Sequence, residues 1–339
     1  MPRLEVPEAL ALGLIMKWND EQSLFPSLGV LTWMESPRIG GLLPYLGTPS
    51  LRQLTFNLNP RRDILPGEVG RILTQLAAGA PAIQGIVIEQ TDPIGSFPAE
   101  AMLRHASIRK LKFSENITLS LLQLQTLFSL PRLESLVSAI HSELETEPPQ
   151  ALYAPSLKAL RCTGSCETLS TLSSHLAAPL LAELEVICDE PHTTYSDRLR
   201  GHRDLVRSIT GSSLAGHLHS LHYGNKDALS RGPGVFQGVI EEDWSALATH
   251  DATASAHALS DIISPLFPKT SSPHVRAFSL ERLTVDIWWP AEVPGADMAR
   301  IRGGFGSTLR RNEFASYLTA PDGEEARTAC RVRLEVEYA

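Results

Sequence analysis

The sequence predicts an α/β solenoid, with parallel strands on an inner face, helices on an outer face and degenerate repeats of about 24 residues. Three observations predict it. A nine-residue pattern recurs, in which a Pro or other small residue precedes an aliphatic, two variable residues, a second aliphatic, one variable residue and a third apolar side chain. From the first aliphatic of one copy to that of the next, the steps are 23, 32, 25, 25, 24, 24, 37 and 62 residues, and a run of four at 24 or 25 is the mark of stacked units. The segments between copies carry apolar residues at helical spacing.

The copies begin at Leu28-Gly29-Val30-Leu31-Thr32-Trp33 and return as Leu51-Arg52-Gln53-Leu54-Thr55-Phe56. Later copies carry Ile83, Ile86 and Ile88; Ile108, Leu111 and Phe113; Leu133, Leu136 and Ser138; Leu157, Leu160 and Cys162; and Leu181, Leu184 and Val186. Two looser ones carry Leu218, Leu221 and Tyr223, and Leu280, Leu283 and Val285. The second and third apolar positions alternate with a variable one, as a short strand with two side chains inward requires. Between them, Glu68, Val69, Ile72, Leu73 and Leu76 fit a 3.6-residue period, as do Leu119, Leu122, Leu127 and Leu130, and Thr168 to Leu176 forms a shorter stripe. One strand, one helix of about ten residues and two turns fill such a repeat. Helix-pair repeats need about 33 to 47 residues, so the period selects the leucine-rich type. The polar position that follows a leucine-rich strand is filled here by Asn59, Thr91, Asn116, Ser165 or Asp189, whose side chains can bond to the turn backbone.

Residues 1–290 are expected to form the solenoid, with insertions near 190–214 and 226–275, and 291–339 a C-terminal extension with a capping strand. Tyr195 to Ile209 is expected to be a lengthened outer helix and Trp244 to Phe267 another, after a loop at Ser230 to Gly234. Trp288-Trp289-Pro290 is expected to stop the ninth strand. The alternation Cys330, Val332, Leu334, Val336 and Tyr338 supplies the cap. Met1 to Val6 has the spacing of a repeat strand, so the chain is expected to start inside a repeat.

Composition narrows the function. A net charge of −8 argues against nucleic-acid and anionic-membrane partners, and no stretch reaches the roughly 18 apolar residues of a spanning helix. The apolar run Ala9 to Met16 has no basic leader, and four cysteines show no disulfide framework. An intracellular protein of cytoplasm or nucleus, with reduced thiols, is expected. Cys162, Cys166 and His175 could be grouped as metal ligands, but paired short-spaced ligands are missing and no metal or cofactor is expected. Gly211-Ser212-Ser213-Leu214-Ala215 lacks the second Gly and the preceding strand of a nucleophile elbow, so it reads as a helix-ending turn. His217, His219 and His222 read as solvent-facing side chains. No catalytic residue is expected.

Leu65-Pro66-Gly67-Glu68-Val69 with Ile72, Leu73 and Leu76 is similar to the opening of an F-box, but the next repeat begins at Ala80, so it reads as Pro at the start of an amphipathic helix. Taken together, the Pro-Ser-Leu-x-x-Leu-x-apolar copies and the late insertions resemble the leucine-rich-repeat portion of fungal F-box proteins, over roughly Met1 to Val285. The resemblance implies a noncatalytic protein-interaction scaffold whose strand face holds a protein partner, the substrate-recognition part of a ubiquitin-ligase receptor. The adaptor of a cullin ubiquitin ligase is an implied partner only with an F-box upstream of Met1; a stand-alone structural or regulatory repeat protein is the alternative. The expected partner-binding face consists of outward strand residues: Lys110 and Lys112, Ser135 and Val137, Ala159 and Arg161, Glu183 and Glu185, Ser220 and His222.

Overall fold

A computed structural model describes residues 3–5, 26–34, 47–58, 66–90, 97–141, 151–189, 195–225, 282–290, 318–319 and 329–337. The chain is mixed α/β, built on parallel strands with few helices. It divides into two compact units, one of Met1–Cys162 with His175–Leu181 and the other of Thr163–Ser174 with Ala182–Ala339.

In the first unit the strands are β1 (Arg3–Glu5), β2 (Val30–Met34), β3 (Gln53–Leu58), β4 (Gly85–Gln90), β5 (Lys110–Phe113), β6 (Thr118–Leu119), β7 (Ser135–Ile140), β8 (Leu152–Tyr153), β9 (Ala159–Gly164, whose Thr163 and Gly164 belong to the second unit) and β10 (Leu176–Ala177). Their order is β1-β2-β3-β4-β5-β7-β9, with β6 pairing the end of β7 and β8 pairing β10 apart from the main sheet. From β1 to β7 each pair is parallel and in one register, Leu4 beside Leu31, Leu31 beside Leu54, then Ile86, Leu111 and Leu136. Because side chains alternate along a strand, this register stacks the apolar positions of the pattern in two buried rows. Leu31, Leu54, Ile86, Leu111, Leu136 and Leu160 form one row, and Trp33, Phe56, Ile88, Phe113, Ser138 and Cys162 the other.

The register is set where each copy starts. A turn closes on the first aliphatic: the N–H of Leu51 donates to the Thr48 carbonyl at 3.0 Å, and Ile83, Ile108, Leu133, Leu157 and Leu181 bond in the same way to Ala80, His105, Leu130, Ala154 and Ala178. The carbonyl one residue after the aliphatic then accepts two consecutive N–H groups of the following copy. Gly29 accepts from Arg52 and Gln53, Arg52 from Gln84 and Gly85, Gln84 from Arg109 and Lys110, Arg109 from Glu134 and Ser135, and Glu134 from Lys158 and Ala159, all at 2.8 to 3.2 Å. These bonds satisfy backbone groups that would otherwise be stranded at the sheet's edge.

The connections differ from one another more than the sequence suggests. Helix α1 (Pro66–Gly79) is the amphipathic helix expected, with Val69, Ile72, Leu73 and Leu76 buried. Among the described residues between β4 and β5 stands a 3-10 turn at Ala99–Arg104, whose Met102 packs inward. Helix α2 (Leu121–Phe128) starts at a capping box: Ser120 accepts from the Gln123 N–H at 3.2 Å, and the Gln123 side chain accepts from the Ser120 N–H at 2.8 Å. The stripe expected there is corrected. Leu122 is 66% exposed, Leu119 lies on β6, and the buried face is Leu124, Leu127 and Phe128. A two-residue strand, β8, directly precedes the turn into β9.

The second unit contains helix α3 (Cys166–His175), strand β11 (Glu183–Cys188), helix α4 (Tyr195–Gly211), and strands β12 (Ser220–Asn225), β13 (Arg282–Pro290), β14 (Leu318–Thr319) and β15 (Ala329–Glu337). The order is β11-β12-β13-β15-β14. Leu184 stands beside Leu221 and Leu221 beside Leu283, and Val186 beside Tyr223 and Tyr223 beside Val285, in parallel register. Strand β13 includes Trp288 and Trp289 and has Pro290 as its last described residue, and β15 pairs with it antiparallel over all nine residues. Helix α4 is the long helix expected and buries Leu205, Val206 and Ile209. Ser165 Oγ caps α3 by accepting from the Thr168 N–H at 3.1 Å. The helix expected at Trp244 to Phe267 and the loop at Ser230 to Gly234 lie outside the described residues.

Candidate functional site

The outward positions of the first unit's sheet hold Lys110 and Lys112, two residues apart on β5 and both exposed. Register fixes their neighbours. Lys110 stands between Gly85 and Ser135, and Lys112 between Val87 and Val137. The two valines are half-buried, so a pair of ammonium groups rises from a low surface that is partly apolar. Neither lysine has an ion-pair partner among the described residues. Arg161 is an exposed outward residue of β9.

At the rim of this unit, where each copy begins, a second charged row runs across the strands. Glu134 bonds to Arg109 at 3.2 Å and to Lys158 at 3.3 Å, one ion pair on each side.

In the second unit, Glu183 and Glu185 are outward residues of β11, in register with Ser220 and His222 of β12. The structure brings Glu185 and His222 together: Oε1 lies 3.1 Å from Nδ1, with both side chains about one quarter to one third exposed. Glu183 is exposed beside Ser220. His217 and His219 are exposed, as expected. Gly211 and Ser212 end α4, where Ser212 Oγ donates to the Ile209 carbonyl at 2.9 Å.

The metal-ligand grouping considered from the sequence is corrected. Cys162, buried on β9, belongs to the core row; burial pushes its thiol up to about 12, and the Ser138 hydroxyl, outside ordinary hydrogen-bond geometry, opposes this only weakly. Cys166 instead meets Cys188 and His202, with the ligand atoms of all three within 4.8 Å of one another. Cys166 is the first residue of α3, Cys188 ends β11 in the inward row after Leu184 and Val186, and His202 stands on α4. The Cys166 thiol donates to the Cys188 sulfur at 2.9 Å, and its sulfur is 3.6 Å from His202 Nδ1. The same Nδ1 hydrogen-bonds with the buried Tyr223 hydroxyl. No local spacing reveals this cluster, since Cys188 and His202 lie 22 and 36 residues beyond Cys166. The signal that was present is the alternation Leu184, Val186, Cys188, which carries a thiol inward at the strand's end.

No family model matches the chain, and no curated protein matches it either. No described helix is long and apolar enough to cross a membrane.

Proposed function

We propose that the chain is a noncatalytic protein-interaction scaffold, a leucine-rich-repeat-like solenoid whose outward strand residues receive a protein partner. The observation that carries this reading is the row on β5 and its neighbours, where Lys110 and Lys112 stand exposed beside Val87 and Val137. Backbone hydrogen bonds on both sides of β5 hold these positions in place before any partner arrives, which lowers the entropy lost on binding. An acidic segment with apolar side chains fits such a row: carboxylates meet the ammonium groups and apolar side chains cover the valines. We propose further, on the resemblance to the repeats of F-box proteins, that the chain is the substrate-recognition part of a ubiquitin-ligase receptor.

The test is a comparison of captured partners. Lys110→Glu with Lys112→Glu should weaken a partner of the wild-type protein by about 1 kcal/mol or more, because two like charges then face its acidic groups. Arg71→Glu, on the exposed side of α1, should change binding far less. Equal loss from both reversals, or none from either, would move the binding surface away from β5. Association of the partner's turnover with a cullin ligase tests the receptor assignment separately.

A further inference from the structure

The cluster of Cys166, Cys188 and His202 lies apart from the outward strand face and takes no part in the proposed binding. We propose that these three residues form a zinc site that clamps the start of helix α3, the end of strand β11 and helix α4 together.

The donor set is chemically specific. Two thiols and an imidazole nitrogen are borderline-soft ligands that suit zinc, whereas magnesium and calcium take oxygen ligands. Cys166 and Cys188 are both buried and His202 is half-buried. Two thiolates with one divalent cation are neutral overall, which removes most of the cost of burying the charges. Cys166 also sits at the first turn of a ten-residue helix, where the backbone N–H groups favour its thiolate.

One edge of the cluster already has the length that a tetrahedral site requires, and another is short of it. Bonds of about 2.3 Å to sulfur and 2.0 Å to nitrogen place a sulfur and a nitrogen ligand about 3.5 Å apart and two sulfurs about 3.7 Å apart. The Cys166 sulfur and His202 Nδ1 are already 3.6 Å apart. The two sulfurs, at 2.9 Å, are too far apart for a disulfide bond of about 2.0 Å and must separate by less than about 1 Å to share an ion. The His202 and Tyr223 rings stand edge to face at 5.9 Å, and Nδ1 has a single in-plane site, so zinc takes the place that the Tyr223 hydroxyl holds in its absence. Around the cluster the frame is tied as well, since Ser170 of α3 hydrogen-bonds with Ser208 of α4, and the Asp189 N–H donates to the Gly164 carbonyl at 2.8 Å.

The experiment uses the full chain, reduced and stripped with a chelator, and titrates it with cobalt(II) as a spectroscopic stand-in for zinc. Wild type should take up one equivalent with thiolate-to-cobalt absorption and the visible bands of a tetrahedral ion, and zinc should displace it. Cys166→Ala and Cys188→Ala should each lose the thiolate bands, His202→Ala should weaken binding about tenfold or more, and Cys162→Ala with Cys330→Ala should keep them. Zinc should raise the melting temperature of wild type and not of the Cys166→Ala/Cys188→Ala protein. The proposal is overturned if folded, reduced wild type shows no thiolate bands, or if the bands survive loss of both cysteines. Isolation of a Cys166–Cys188 disulfide from a protein that takes up no metal when reduced would overturn it too, and would make the pair a redox couple. The wild-type titration decides the matter even where a variant does not fold.

Discussion

The His105 imidazole donates from Nε2 to the backbone carbonyl of Leu73 at 2.9 Å, joining the turn before β5 to helix α1. A carbonyl can only accept, so the proton sits on Nε2 and leaves Nδ1 buried without a partner. Burial holds the ring's pKa below its usual 6.5, and the bond to Leu73 offsets this only in part. The folded state therefore resists a proton that the unfolded chain accepts. Stability from this group is constant above about pH 7 and falls as pH drops through 6.5 toward the lower folded value. His105→Gln, which keeps a donor for Leu73, should flatten that fall by at most about 1.4 kcal/mol per pH unit, one proton's worth. Urea melts of both proteins from pH 7.5 to 5 measure it, and parallel curves would show that His105 does not titrate on unfolding.

Cys162 should be silent toward thiol reagents. With its thiol at about 12, almost no thiolate exists at neutral pH, and the side chain is fully buried. Alkylation followed by mass mapping should label Cys162 only at the rate of unfolding and should label it freely in denaturant. The raised value also means that stability falls as pH rises above 9, where the unfolded thiol ionises and the folded one does not. Rapid labelling of the folded protein would contradict the burial described here.

The rim row makes a weaker contribution. Arg109, Glu134 and Lys158 are exposed enough for water and salt to screen them, with side-chain exposures of 46%, 29% and 57%. Glu134→Gln should cost about 1 kcal/mol or less, and the loss should vanish in high salt. Glu134→Lys should cost more, since three cations would then stand side by side just before adjacent strands. Thermal melts at low and high ionic strength separate the two effects. The backbone bonds from the Glu134 carbonyl to Lys158 and Ala159 survive either change.

The inward rows could be read from the sequence because period two within a strand and a spacing of 24 or 25 between strands are both local signals. Helix α1 was legible for the same reason. Helix α2 was misread by a turn, since Leu119 and Leu122 are as apolar as Leu124 and Phe128, and only the capping box at Ser120 fixes where the helix starts. Pro290 reads as a strand breaker because it lacks a donor, and it is the last described residue of β13, in register with Ala329 of β15. The cysteine–histidine cluster was illegible for a different reason. Its three members belong to three elements, and their meeting depends on how α3, β11 and α4 pack, which no spacing along the chain encodes.

Strand β5 offers the sharpest contrast between fold and surface, because Lys110, Leu111, Lys112 and Phe113 alternate exposed and buried. Leu111→Ala should cost about 2 to 5 kcal/mol and Phe113→Ala about 3 to 5, since each leaves a cavity in a row closed on both sides by neighbouring strands. For Phe113 the loss includes an edge-to-face contact with Phe97, ring centres 4.8 Å apart. Lys110→Ala and Lys112→Ala should each stay within about 0.5 kcal/mol of wild type, because neither removes buried area nor breaks an ion pair. Chemical denaturation of the four variants measures all of these together. An alternating pattern of losses along four consecutive residues would establish that the lysines can be exchanged without disturbing the fold, as the charge-reversal test of partner binding requires. A large loss at Lys112 would mean instead that its stem packs on Val87 and Val137 as part of the structure, and the binding surface would then have to be sought without it.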